Sequence, residues 1–165
     1  MRCLALDLSR HVGWADFRSP KSKPRLGTFM LPTTRWADNF GPKFHALDEW
    51  LDGMVQAIRP ELLAFEAPLT PIDGKSWQVS TNANTVRYLT GLATVAELVA
   101  ARRRVRCIEV AVSTAKVALT GTQWAKKQQM LAAAVNRGWL PADDHQADAC
   151  GVAIAAFNHV GVTMP

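Results

Sequence analysis

Apolar positions along the chain fall first into short runs and later into helical spacing. Residues 2–8 form a strand-length apolar run interrupted by one carboxylate, Asp7. Gly13 to Phe17 is a second run and Arg25 to Leu31 a third, with Pro20, Pro24 and Pro32 as punctuation. Three short strands joined by tight turns predict an antiparallel meander. Phe44, Leu47, Trp50, Leu51, Met54, Val55 and Ile58 then recur at three- and four-residue steps, an amphipathic helix ended by Pro60. Leu62 to Glu66 is another apolar run, closed by a carboxylate and then Pro68.

Residues 67–84, with Pro68, Pro71, Gly74 and a Ser/Thr/Asn cluster, read as a long loop; inside a compact domain such a loop usually has a job or is disordered. Helical spacing returns at Val86, Leu89, Leu92, Ala93, Ala96 and Val99, with Asn82 or Asn84 as N-cap. Arg102-Arg103-Arg104 follows, and then Val105 to Val110 as a strand. Ser113 is expected to cap a short helix around Lys116, and Thr122 one running to Arg137 with Gly138 just past its end. Asp143 or Asp144 would cap a final helix with Ala147, Cys150, Ile154 and Phe157 on its buried stripe. The order βββ-α-β-α-β-α-α-α predicts a mixed sheet with helices on both faces, and nothing divides residues 1–165 into more than one domain.

Composition narrows the class. A chain of 165 residues with 48% hydrophobic and 20% charged residues is globular rather than disordered. No apolar run approaches the roughly 20 residues of a membrane span, and the N-terminus lacks a signal-peptide pattern, so a soluble cytoplasmic protein is expected. Cys3, Cys107 and Cys150 have no paired spacing, which argues against a disulfide framework or a structural zinc site. The net charge of +5 is unevenly placed: +1 over residues 1–66, +7 over 67–140 and −3 over 141–165. That is the distribution of a phosphate-binding surface beside a cation site; ordinary scatter on a solvated surface is the other reading.

Asp7 and Glu66 each end an apolar strand, where a lone ionised carboxylate is costly unless paired or bound to a metal. Either alone would read as a turn or cap; two in one sheet point to a site. His145 and Asp148, three positions apart on the last predicted helix, project to one side of it. Asp143 and Asp144 suit an exposed helix start, whereas Asp148, a turn further in between alanines, does so less well. Together Asp7, Glu66, His145 and Asp148 form a mainly oxygen cluster suited to Mg²⁺ or Mn²⁺. Two such ions about 3.5–4 Å apart can activate water and stabilise the leaving oxygen in phosphodiester cleavage.

These residues carry a resemblance. Leu4-Ala5-Leu6-Asp7 followed by Gly13-Trp14-Ala15 resembles the opening of RuvC-type Holliday junction resolvases, and Leu63-Ala64-Phe65-Glu66 their second acidic strand. Ala115 to Gly121 and Ala125 to Met130 resemble their basic segment, and His145-Gln146-Ala147-Asp148-Ala149, running on to Ala155, their last acidic helix, in the version with His three positions before the final Asp. Leu8-Ser9 departs from the Pro-Gly that members often carry after the first Asp, and the loop after Glu66 is richer in proline. The resemblance spans nearly the whole chain in order. It implies an RNase H-like fold with a five-stranded sheet, three antiparallel strands and then parallel ones. It also implies a homodimer and Mg²⁺-dependent paired nicking of four-way DNA junctions, leaving 5′-phosphate and 3′-hydroxyl ends. A compact variant of the kind found in phage genomes, trimming branched DNA before packaging, is the nearest analogy.

On this reading Asp7, Glu66 and Asp148 hold two Mg²⁺ ions, for which Mn²⁺ can substitute. His145 binds one ion, or positions or deprotonates the attacking water. Lys116 and Lys127 match the family's basic positions and contact phosphates, Lys116 at the catalytic centre. Trp77, between Lys75 and Gln78, is the aromatic expected to stack on or wedge between bases, with Lys75 and Arg87 completing the DNA-binding set. The other five tryptophans read mostly as core, and His11, His45 and His159 as surface residues. Arg102, Arg103, Arg104 and Arg106 either extend the DNA track or complement a helix C-terminus. The apolar face of the helix over 84–101 serves a dimer or only the core. A non-catalytic junction binder would lack an acidic position, and none is missing. A nuclease for flaps or RNA–DNA hybrids has the same composition. An actin-like phosphotransferase needs Gly-rich phosphate loops, and none is visible.

Overall fold

The computed structural model describes residues 1–33, 39–68 and 83–164. Strands β1 (Cys3–Asp7), β2 (His11–Phe17) and β3 (Arg25–Met30) form the meander expected from the three apolar runs. Helix α1 (Gly41–Ile58) leads to β4 (Leu62–Glu66), which joins β1 in parallel, and α2 (Ala83–Arg103) leads to β5 (Arg106–Val110), parallel to β4. Helices α3 (Val112–Thr120), α4 (Lys127–Asn136) and α5 (Asp144–His159) close the chain. The sheet order is β3-β2-β1-β4-β5, so the two strands that end in carboxylates lie side by side at its centre. Among the described residues no helix is long and apolar enough to cross a membrane.

Alternation along the strands sorts the core into two layers. Leu4, Leu6, Leu63 and Phe65 face α1 and α2, whereas Cys3, Ala5, Leu62 and Ala64 face α3, α4 and α5. The same period of two turns Asp7 and Glu66 toward the α5 face. The sequence places small residues there: Ala147, Ala149, Gly151, Ala153, Ala155 and Ala156 let α5 lie close to the sheet. Instead of a single stripe, every α5 residue from Gln146 to Phe157 is buried except Asp148.

Two glycines set how near the helices come. A β-carbon on Gly13 would stand 2.1 Å from the His145 carbonyl oxygen, so α5 touches β2 backbone to backbone. A β-carbon on Gly151 would stand 2.8 Å from the Ala115 carbonyl oxygen, which fixes the α3–α5 crossing.

Several sequence expectations shift at helix ends. Asp143 is the N-cap of α5, accepting from the Gln146 N–H at 2.8 Å, and Gly138 takes positive φ after α4. Thr122 does not cap α4, which starts at Lys127 with Gln129 Oε1 accepting from the Lys126 N–H at 2.8 Å. The Thr120 hydroxyl shares its one proton between the carbonyls of Lys116 and Thr122, 2.8 and 3.0 Å away, holding Thr122 in the turn that follows α3. Ser113 lies inside the first turn of α3, and Ala111 is the N-cap.

Asp16, one residue from the end of β2, is a fully buried carboxylate that no local sequence pattern marks. Arg2 Nε and Nη2 donate to it at 2.8 Å each, and Arg25 Nε and Nη2 at 2.9 and 2.6 Å. Burial alone would raise its pKa, but the two guanidiniums hold the carboxyl below its ordinary range. Arg102 and Arg103 pair with Asp48 and Asp52 of α1, clasping the two helices on that face. These two arginines therefore do more than complement a helix C-terminus.

Gly13→Ala should cost about 1–3 kcal/mol, because the new methyl meets backbone that cannot rotate away. Denaturant unfolding would measure it, and a loss under about 0.5 kcal/mol would contradict the close contact.

Candidate active site

Parallel pairing sets Leu6 opposite Phe65, which brings the next residues, Asp7 and Glu66, to the same end of adjacent strands. The Ala67 N–H donates to the Val110 carbonyl at 2.8 Å and holds the end of β4 against β5. A cavity of about 210 Å³ opens here, lined by Asp7, Ser9, Glu66, Pro68, Leu89 and Val112.

Helix α5 meets the same end of the sheet without lining that cavity. Thr28 Oγ1 donates to Asp143 at 2.6 Å and Gln146 Nε2 donates to Thr28 at 3.1 Å, so the helix start is tied to β3. With Gly13 beneath it, His145 reaches Asp7, and its Nδ1 donates to Asp7 Oδ2 at 2.6 Å. This bond raises the imidazole pKa, with burial opposing it and the carboxylates of Asp7, Asp144 and Asp143 adding to it. Nε2 is then the ring nitrogen left for other chemistry.

The carboxylates are electrostatically crowded. Burial first, and then the charges of Asp7 and Asp148, push Glu66 up to about 8, with Lys116 opposing. Burial, Asp7 and Asp144 push Asp148 up to about 6, against His145 and Lys116. The Ala115–Gly151 contact brings the next residue, Lys116, to this end of α5, and its charge lowers both pKa values. Lys127, the first residue of α4, is ion-paired with Asp144, and its charge also feels Asp148 and Asp7.

The structure thus brings Asp7, Glu66, His145, Asp148 and Lys116 together, with Lys127 at the margin. Arg87 lies elsewhere on α2, its guanidinium 5.5 Å from the centre of the Phe40 ring. Lys75 and Trp77 fall outside the described residues. His11 is not the solitary surface residue expected: its ring meets His145 edge-on, centroids 5.5 Å apart at 79°. His45 pairs with Glu49 at 3.5 Å. Trp124 is not core, being 81% exposed. Position alone hinted at both: His11 follows Asp7 across one turn, and Trp124 stands beside Lys126.

As the side chains stand, no group of three or more His, Cys, Asp and Glu among the described residues is arranged to hold an ion. The Nδ1–Asp7 hydrogen bond commits two of the expected donors to each other. The donor chemistry nevertheless fits a hard divalent cation: partly buried carboxylates whose pKa is raised by burial and then by neighbouring carboxylates would be favoured by the positive charge that such an ion brings.

A mixed sheet of three antiparallel and two parallel strands, with acidic side chains at the ends of the central pair under the last helix, defines an RNase H-like fold. The particular fold is that of the RuvC-type Holliday junction resolvases. The Thermus thermophilus RuvC structure aligns with TM-score 0.71 and 19% identity over 100% of this chain and 99% of that one. T. thermophilus RuvC in complex with Holliday junction substrate aligns with TM-score 0.72 and 22% identity over 100% and 99%. The yeast mitochondrial Holliday junction resolvase Ydc2 aligns with TM-score 0.64 and 14% identity over 93% of this chain and 76% of that one. No protein-family model matches the chain, and no curated protein sequence matches it.

Glu66 and Asp148 hold protons more tightly folded than unfolded, as does His145, so stability falls as pH rises through the windows ending at about 8 for Glu66 and about 6 for Asp148. In chelator, the melting temperature should drop between about pH 5 and pH 9. Glu66→Gln should remove most of that drop and melt about 4–8 °C above the parent at the alkaline end. Parallel curves for the two proteins would contradict the crowding.

Proposed function

We propose that residues 1–165 form one nuclease domain, a divalent-metal-dependent, structure-selective endodeoxyribonuclease acting as a homodimer on four-way or otherwise branched DNA in the cytoplasm. The observation that carries this is the meeting of Asp7 and Glu66 with Asp148 and His145 in a chain of RuvC fold, with Lys116 beside them. Asp7, Glu66 and Asp148 would hold Mg²⁺ or Mn²⁺, two ions per site. Bound there, the ions supply Lewis acidity toward a phosphodiester and its attacking water.

The chain's own residues do the rest. Asp7 orients His145 through Nδ1, leaving Nε2 to hold a ligand or to position and deprotonate water. Lys116 and Lys127 meet the scissile and neighbouring phosphates, the latter by exchanging Asp144 for the DNA. Lys75 and Trp77, with Arg87 from α2, are assigned to the DNA arms and the branch point.

The test compares four-way junctions, Y-flaps, RNA–DNA hybrids and linear duplex in Mg²⁺, Mn²⁺ or chelator. Paired symmetric nicks confined to four-way junctions and abolished by chelator are expected. Preference for flaps or hybrids would move the substrate class, and no cleavage of any probe would end the nuclease reading. Asp7→Asn and Asp148→Asn should each lower the rate at least about a hundredfold, the loss of a few kcal/mol, while junction binding persists in a gel-shift assay. Cleavage at the parental rate by either variant would exclude these carboxylates from the chemistry.

A further inference from the structure

A tryptophan left in solvent beside lysines calls for a partner. Trp124 is 81% exposed, although its turn is well held. Gly121 turns the chain out of α3 in the left-handed conformation, with its N–H bonded to the Val117 carbonyl at 2.8 Å. The Thr120 hydroxyl donates to the Thr122 carbonyl at 3.0 Å, Ala125 is buried as an anchor, and Gln129 caps the Lys126 N–H. The indole is thus presented on a fixed turn, where little ordering is needed to bind a flat apolar ligand.

Its surroundings select the ligand. Gln123 and Lys126 on either side are exposed, and Lys127 follows. Lys127 is ion-paired with Asp144, the residue before His145 on α5, so this turn borders the carboxylate cluster. An exposed indole followed within three residues by two exposed lysines is complementary to a base attached to a phosphate backbone. In a paired duplex the base faces are covered by their neighbours, so only an unpaired or unstacked base can use it.

We propose that Trp124 is a base-stacking residue that takes an unpaired nucleobase while Lys126 meets the adjoining phosphates, favouring strands with open bases over closed duplex. The choice of nucleic acid as ligand rests on the nuclease reading, but the stacking can be measured without cleavage.

The experiment uses the full chain in chelator with three fluorescent probes: a single-stranded oligonucleotide, a four-way junction and a linear duplex. Trp124→Ala should weaken single-strand and junction binding about 5- to 150-fold, the loss of one base–aromatic stack. It should change duplex binding less than twofold, and Trp124→Phe should stay within about threefold of the parent on every probe. Equal losses on all three probes, losses below twofold throughout, or no parental binding to any probe would each overturn the proposal. Adding Mg²⁺ separates the two ideas: if the parent binds with this pattern yet never cuts, the nuclease reading fails and the stacking stands.

Discussion

Helix α5 rests on strand β2 where Gly13 leaves room for the His145 carbonyl, and the geometry of the acidic site depends on that contact. Gly13 pairs across the sheet with Asp7, so the residue that admits the helix sits beside the carboxylate the helix must meet. A side chain there would lift the start of α5 and carry His145 and Asp148 away from β1 and β4. The ties from Asp143 and Gln146 to Thr28 close the same joint from its other edge.

This closeness concentrates negative charge, and the chain answers it differently in two places. Asp16 is buried deeper than any carboxylate at the site, yet two arginines satisfy it and it stays ionised. Among the described residues Lys116 opposes the shift of Glu66, and His145 and Lys116 that of Asp148, yet both pKa values stay raised. A fold that needed only stability would treat them as it treats Asp16. Carboxylates left short of positive charge at the end of a sheet suit the cations proposed for this site.

Much of this could be read along the chain. Strand and helix order, the two strand-ending carboxylates, the Asp143 cap and the turn at Gly138 all follow from local rules: alternation, three-to-four spacing, cap chemistry. Thr122 and Ser113 obeyed the same cap rules and were displaced, because Thr120 already spends its hydroxyl on that turn and α3 begins earlier than Ser113. His11 and Trp124 had only their places near Asp7 and Lys126 to mark them. A histidine in a strand and a tryptophan in a turn each look like many others until neighbours from distant sequence are known.

Which strands are apolar, where Asp7 and Glu66 end theirs and which helix carries His145 and Asp148 are properties of neighbours along one chain and are legible there. Tertiary structure alone decided that Lys116 stands beside Glu66 while Arg102 and Arg103 clasp α1, that Asp16 is buried between arginines, and that Trp124 faces solvent. Charge partnership and exposure depend on distances through space, which helix crossings and sheet register set and residue spacing does not encode.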